Sequence, residues 1–91
     1  MKTLKLVLKK KWFDMIASGE KTEEYREITE YWTKRISGKQ YRYVTFYLGY
    51  AKDRPSMTFE MMTPKVAYGI PQWGAEIGKL YFVLRLGKRI E

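Results

Sequence analysis

The sequence predicts an α+β domain, a small β-barrel of five to six mostly antiparallel strands flanked by two short helices. Three observations lead there. Two segments carry apolar residues at helical spacing and each is followed by a glycine; several others alternate apolar and polar residues; and 91 residues are too few for a doubly wound parallel sheet. A domain of that length removes only about two-thirds of its unfolded surface from water, so its core is shallow.

From Thr3 to Lys9, Leu4, Leu6 and Leu8 fall on one side and Thr3, Lys5 and Lys9 on the other, the period of a half-buried strand; Val7 alone breaks the polar face. Lys10 to Ser18 places Trp12, Phe13 and Ile16 on one helical stripe, and Gly19 follows where a left-handed C-terminal cap belongs. Thr22 to Glu27 reads as a brief charged strand with Glu24 and Arg26 on one face and Glu23 and Tyr25 on the other. Thr29 suits the N-cap of a second helix to about Ile36, with Trp32 and Ile36 turned to the core and Gly38 as the stop. On this spacing Trp12 and Trp32 are both expected in the core.

Tyr41 to Tyr50 is the clearest strand, with Val44, Phe46 and Leu48 opposite Tyr41, Tyr43, Thr45 and Tyr47. Ala51 to Pro55 is a polar turn. Ser56 to Tyr68 holds a further strand or two, bent near Pro64 because proline cannot donate to a ladder. Ile70 to Gly78, with Pro71, Gly74 and Gly78, is a loop, and Leu80 to Leu86 closes the sheet with Leu80, Phe82, Leu84 and Leu86 inward.

Eighteen Lys and Arg against ten Asp and Glu give a formal charge of +8, a field that attracts polyanions and makes nucleic acid the expected partner. The chain has neither Cys nor His, which excludes disulfides, Cys/His zinc sites, a Ser-His-Asp triad and a thiolate nucleophile. Chemistry here rests on Lys, Glu, Asp, Tyr, Ser or Thr; an all-carboxylate metal site is left open by the composition, but no metal or cofactor is assigned. Lys5 and Lys9 to Lys11 interrupt the apolar residues of the first segment, so the chain shows no signal-peptide pattern and no bilayer-spanning stretch; a cytoplasmic location is the expectation.

The chemically conspicuous segment runs from Ser18 to Glu27. Glu24 and Arg26, two apart in a strand, share a face, and Lys21 at the turn reaches the same edge. The plain reading is a solvated ion-pair network, worth roughly 0 to 1 kcal/mol per exposed pair. The sharper reading is a site. Lys21 beside a carboxylate stays protonated and donates to a phosphate or carbonyl; beside a second cation in a dry cleft its pKa falls, exposing a base or nucleophile. Arg26 suits bidentate contact with a phosphate or base edge, or pairing with Glu24. Bases stack on Tyr25, Tyr43, Tyr47, Tyr50 or Trp73, and Lys34 and Arg35 contact a nucleic-acid backbone or form an ordinary solvated helix edge.

Gly19-x-Lys21-x-x-Glu24-x-Arg26, directly after the helix Lys11 to Ser18, resembles the signature of ASCH domains, of the PUA-like superfamily. Tyr31 to Arg35, Val44 to Tyr50, Phe59-Glu60 and Tyr81 to Leu86 look like the same family's short bacterial and phage members, so the resemblance spans essentially the whole chain as a single domain. It implies a PUA-like barrel with a cleft into which the signature residues point, and an RNA or modified-nucleotide ligand. Some small members are similar to amidohydrolases acting on N4-acetylcytidine, in which a lysine matches Lys21 and a threonine stands where this chain has Glu24. That departure, with no clear match for their later acidic catalytic residue, points from hydrolysis toward binding. If the chain is an enzyme, Lys21 and Glu24 are its catalytic residues. A protein-interaction accessory role is the third reading.

Overall fold

The computed structural model describes residues 2–91. Strand β1 (Lys2–Leu8) leads into helix α1 (Lys10–Ala17), β2 (Glu23–Glu27) and α2 (Glu30–Ile36); β3 (Tyr41–Leu48), β4 (Ser56–Met61), β5 (Lys65–Tyr68), a single 3₁₀ turn (Pro71–Trp73) and β6 (Leu80–Arg89) follow. The helices and their stops lie where the sequence puts them. Thr29 caps α2 by accepting a hydrogen bond from the Trp32 amide at 3.2 Å, and Gly19 and Gly38 take the positive φ (86° and 72°) expected after each helix.

The strands form a curled half-barrel in the order β1-β3-β4-β6-β2, with β5 also pairing with β6. β1 and β3 are parallel, and the other pairings are antiparallel. β4 and β5 succeed one another along one edge of β6, separated at residues 62–64, where Pro64 interrupts the ladder as expected. β2 occupies the other edge of β6. The barrel does not close, because β1 and β2 are the outer strands and do not pair with each other.

Leu4, Leu6 and Leu8 of β1, Val44 and Phe46 of β3, Met57, Phe59 and Met61 of β4 and Phe82 and Leu84 of β6 fill the inside of the curl, closed by Phe13, Ile16 and Ile36 from the helices. A smaller cluster of Tyr25, Ala75, Tyr81 and Val83 lies on the opposite face of β6. This corrects the simple alternation expected for the last strand. Tyr81 and Val83 are buried as well as Phe82 and Leu84, because the segment after the 3₁₀ turn covers the second face, whereas Leu80 is 45% exposed at the uncovered end and Leu86 is only partly buried.

Tyr41 is the other departure. Pairing steps from Lys2↔Tyr41 to Thr3↔Tyr43, so β3 carries one extra residue there. The irregularity turns Tyr41 to the core side, where its ring packs and its hydroxyl donates to the Arg35 carbonyl at 2.7 Å.

Candidate functional site

The open seam of the half-barrel is a cleft of about 530 Å³. Val7, Leu8 and Lys9 at the end of β1 form one wall, Glu24 to Glu27 of β2 another, and the helices, the 70–78 segment and β6 complete it with Trp12 and Trp32, with Trp73, Gly74 and Glu76, and with Tyr81. An edge strand leaves backbone donors and acceptors unpaired. Here two such edges face each other, and Arg26 spans the gap: its Nη2 donates to the Val7 carbonyl at 3.3 Å and its Nη1 to the Tyr25 carbonyl at 2.8 Å.

Lys21, Glu24 and Arg26 come together as the strand register requires. The Glu24 carboxylate receives the Lys21 ammonium on Oε1 and the Arg26 guanidinium on Oε2. Lys21 is 2% exposed and Glu24 5%, so this is a buried network and not the solvated one that spacing alone suggests. Only Glu24 and Arg26 reach the cleft surface; Lys21 lies beneath it. Its ammonium sits 5.3 Å from the Trp12 ring centre and 5.4 Å from that of Tyr25, facing the electron-rich faces of both. Burial pushes the Lys21 pKa below its usual value, opposed by the attraction of Glu24 and assisted by the repulsion of Arg26.

The wall opposite β1 is held by two tyrosines with ring centres 5.7 Å apart. The Tyr25 hydroxyl donates to Glu23 at 2.8 Å and accepts from the Ile70 amide at 2.9 Å; the Tyr81 hydroxyl accepts from the Glu76 amide at 3.0 Å. These bonds pin both ends of the segment that carries Trp73. Burial raises the Tyr25 pKa, so its phenol stays protonated as the donor. Gly74, at φ 103°, lies against Trp12, where an added Cβ would come within 2.9 Å of the indole. This close approach sets Trp73 and Trp12 in the same cleft. Glu27 is paired with Lys79 at 3.2 Å, and Glu76 has no ion pair among the described residues.

The expected core position of Trp12 is corrected, and that of Trp32 holds only in part, since Trp32 packs against the core and also lines the cleft. Neither is fully buried: Phe13, Ile16 and Ile36 already fill the space under the helices, and the large indoles spread sideways into the cleft. All three tryptophans of the chain therefore line one cavity. Three such rings in so shallow a core were the available signal. Lys9, Glu27, Glu76 and Tyr81 also line it and carried no such signal, because their approach depends on where β1 ends and how the 70–78 segment folds back.

The remaining candidates are dispersed. Of the proposed stacking residues, Tyr25 and Trp73 line the cleft. Lys34 is exposed and pairs with Glu30 at 3.3 Å. Arg35 lies with its guanidinium 5.6 Å from the Trp32 ring centre, and Arg26 lies 5.2 Å from it, so Arg35 touches the site through Trp32 without lining it. Tyr43 and Tyr47 lie on the outer face of β3, with the Arg54 guanidinium 4.1 Å from the Tyr47 ring centre, and Tyr50 projects from the following loop, 84% exposed. None of these three tyrosines lines the cleft. Among the described residues no helix is long and apolar enough to cross a membrane, and no carboxylate cluster of metal-binding size occurs. Comparison with models of known families, with characterised proteins and with solved structures finds no match to this chain.

Proposed function

We propose that this chain is an ASCH-type, PUA-like domain that binds RNA or a modified nucleotide, with one base in the seam of the half-barrel. The observation that carries the reading is the convergence of all three tryptophans with Arg26 and Glu24 on a single cleft in a protein of net charge +8. Its volume, about 530 Å³, falls in the range of small-ligand sites, roughly 300 to 1,000 Å³. Indole faces stack on any base with roughly 1 to 3 kcal/mol each. Glu24 and Arg26 offer an acceptor and a donor to a base edge, and the net charge of +8 on the whole chain attracts the phosphates. Lys21, beneath the floor, acts as a positioning residue that holds Glu24.

Tryptophan fluorescence reports directly on this cleft. Titration with single-stranded RNA at low salt is expected to change it, with affinity falling as salt rises. A protein without affinity for RNA or nucleotides under those conditions would refute the reading.

The burial and lowered pKa of Lys21 favour a second reading, hydrolysis of an N4-acylated cytidine, in which that lysine becomes accessible as a base or nucleophile. Incubation with N4-acetylcytidine tests it. Release of cytidine at the rate of a folded Lys21→Met control would end it.

A further inference from the structure

The loop between β3 and β4 adjoins the cleft, yet the binding just described does not use it. Leu8 lines the cleft, and its carbonyl accepts a hydrogen bond from the Gly49 amide at 3.4 Å. Val7, in the same wall, is the sheet partner of Tyr47, and Leu8 of Leu48. The start of the loop is thus one strand spacing, about 4.8 Å, from the cleft wall.

The loop is shaped rather than loose. Gly49 takes φ 68°, and Arg54 folds back so that its Nη1 donates to the Gly49 carbonyl at 3.1 Å while its guanidinium covers the Tyr47 ring at 4.1 Å. On this frame Tyr50 points into solvent, and its hydroxyl makes no hydrogen bond to the described residues. Lys52 is exposed beside it. Lys52 and Arg54 against Asp53 leave the loop one positive charge.

A single exposed tyrosine is ordinary on a protein surface. What distinguishes this one is its company. A stacked Tyr47–Arg54 pair, a free phenol ring and an exposed lysine occupy one short stretch beside a tryptophan-lined cleft. Single-stranded nucleic acids are held by this alternation of stacking surface and cation.

We propose that the β3–β4 loop is a second subsite, at which Tyr50 stacks a base of single-stranded RNA and Lys52 with Arg54 holds the adjoining phosphates while a neighbouring base fills the cleft. This rests on the reading of the cleft as a base site and extends it from one nucleotide to a short run. Tyr47 serves as the support for Arg54.

The test compares uridine 5′-monophosphate with an octauridylate, using tryptophan fluorescence for the cleft and anisotropy of a labelled octamer for total binding. The wild type is expected to bind the octamer more tightly than the monophosphate. Tyr50→Ala, which removes an exposed side chain, is expected to weaken the octamer by roughly five- to a hundred-fold and to leave the monophosphate unchanged. Lys52→Ala is expected to reduce the salt dependence of octamer binding. If the octamer binds but is indifferent to Tyr50→Ala, the second subsite is wrong and the cleft reading stands. Octamer binding that depends on Tyr50 without any fluorescence change would also overturn the proposal, by separating the loop from the cleft. If neither probe binds, the cleft reading itself fails.

Discussion

Oppositely charged neighbours occur in this protein in two settings that look nearly alike in sequence. Lys10–Asp14 on α1 and Glu30–Lys34 on α2 are four residues apart, at 2.5 and 3.3 Å, with every partner more than half exposed. Lys21–Glu24 is three apart, yet its side chains are 1% and 7% exposed. Water screens the first kind, and each such pair contributes little. The second is largely removed from water, so the Lys21 ammonium depends on Glu24, which in turn is shared with Arg26. Spacing establishes that two charges can meet; burial decides what their meeting is worth.

The sharpest way to break this comparison is Glu24→Gln, which leaves the Lys21 ammonium buried without its anion. A loss of about 3 to 5 kcal/mol is expected, against a total of about 5 to 15 kcal/mol for a typical domain, read by urea unfolding. Adding Lys21→Met to that variant should recover part of the loss, with a coupling energy of about 0.5 to 3 kcal/mol. If Glu24→Gln costs no more than loss of an exposed pair, the buried network has no special standing.

Gly74→Ala asks whether the aromatic cover is equally constrained. The positive φ and the encounter with Trp12 should together cost about 1 to 3 kcal/mol and shift the tryptophan emission. Unchanged emission would mean that the segment carrying Trp73 does not rest on Trp12.

Stability against pH should separate the buried cation from the surface ones. Burial holds the Lys21 pKa below its usual 10.5, so the unfolded chain binds the extra proton between the folded value and 10.5, and stability rises with pH across that window. Tyr25 acts in the opposite sense. Its raised pKa keeps in the fold a proton that the unfolded chain loses above 10.0, so stability falls beyond that point. A rise followed by a fall is expected in thermal melts, and Lys21→Met should abolish only the rise. The smallest effect is expected from Lys34→Ala, whose unfolding midpoint should be indistinguishable from that of the wild type.

Much of the fold was legible because it depends on neighbours in the chain. Thr29 and Gly38 bracket α2, Gly19 ends α1, and Val44 and Phe46 alternate with Thr45 and Tyr47, all from short-range sterics and periodicity. The face shared by Glu24 and Arg26 was legible for the same reason. Tyr41 was not, since one inserted residue reverses every face beyond it and leaves no mark in the pattern. Nor were the two buried faces of β6, which depend on the 70–78 segment folding back.

By itself the sequence determined the strand and helix order, the positive charge, the absence of thiol and imidazole chemistry, and the meeting of Lys21, Glu24 and Arg26. Only the tertiary structure decided that β1 and β2 stay apart, that Trp12, Trp32 and Trp73 line the seam between them, and that Lys21 lies beneath its floor. The reason is physical. Periodicity reports which side of an element is apolar, whereas a cleft is the space left between elements, set by long-range packing that no local spacing encodes.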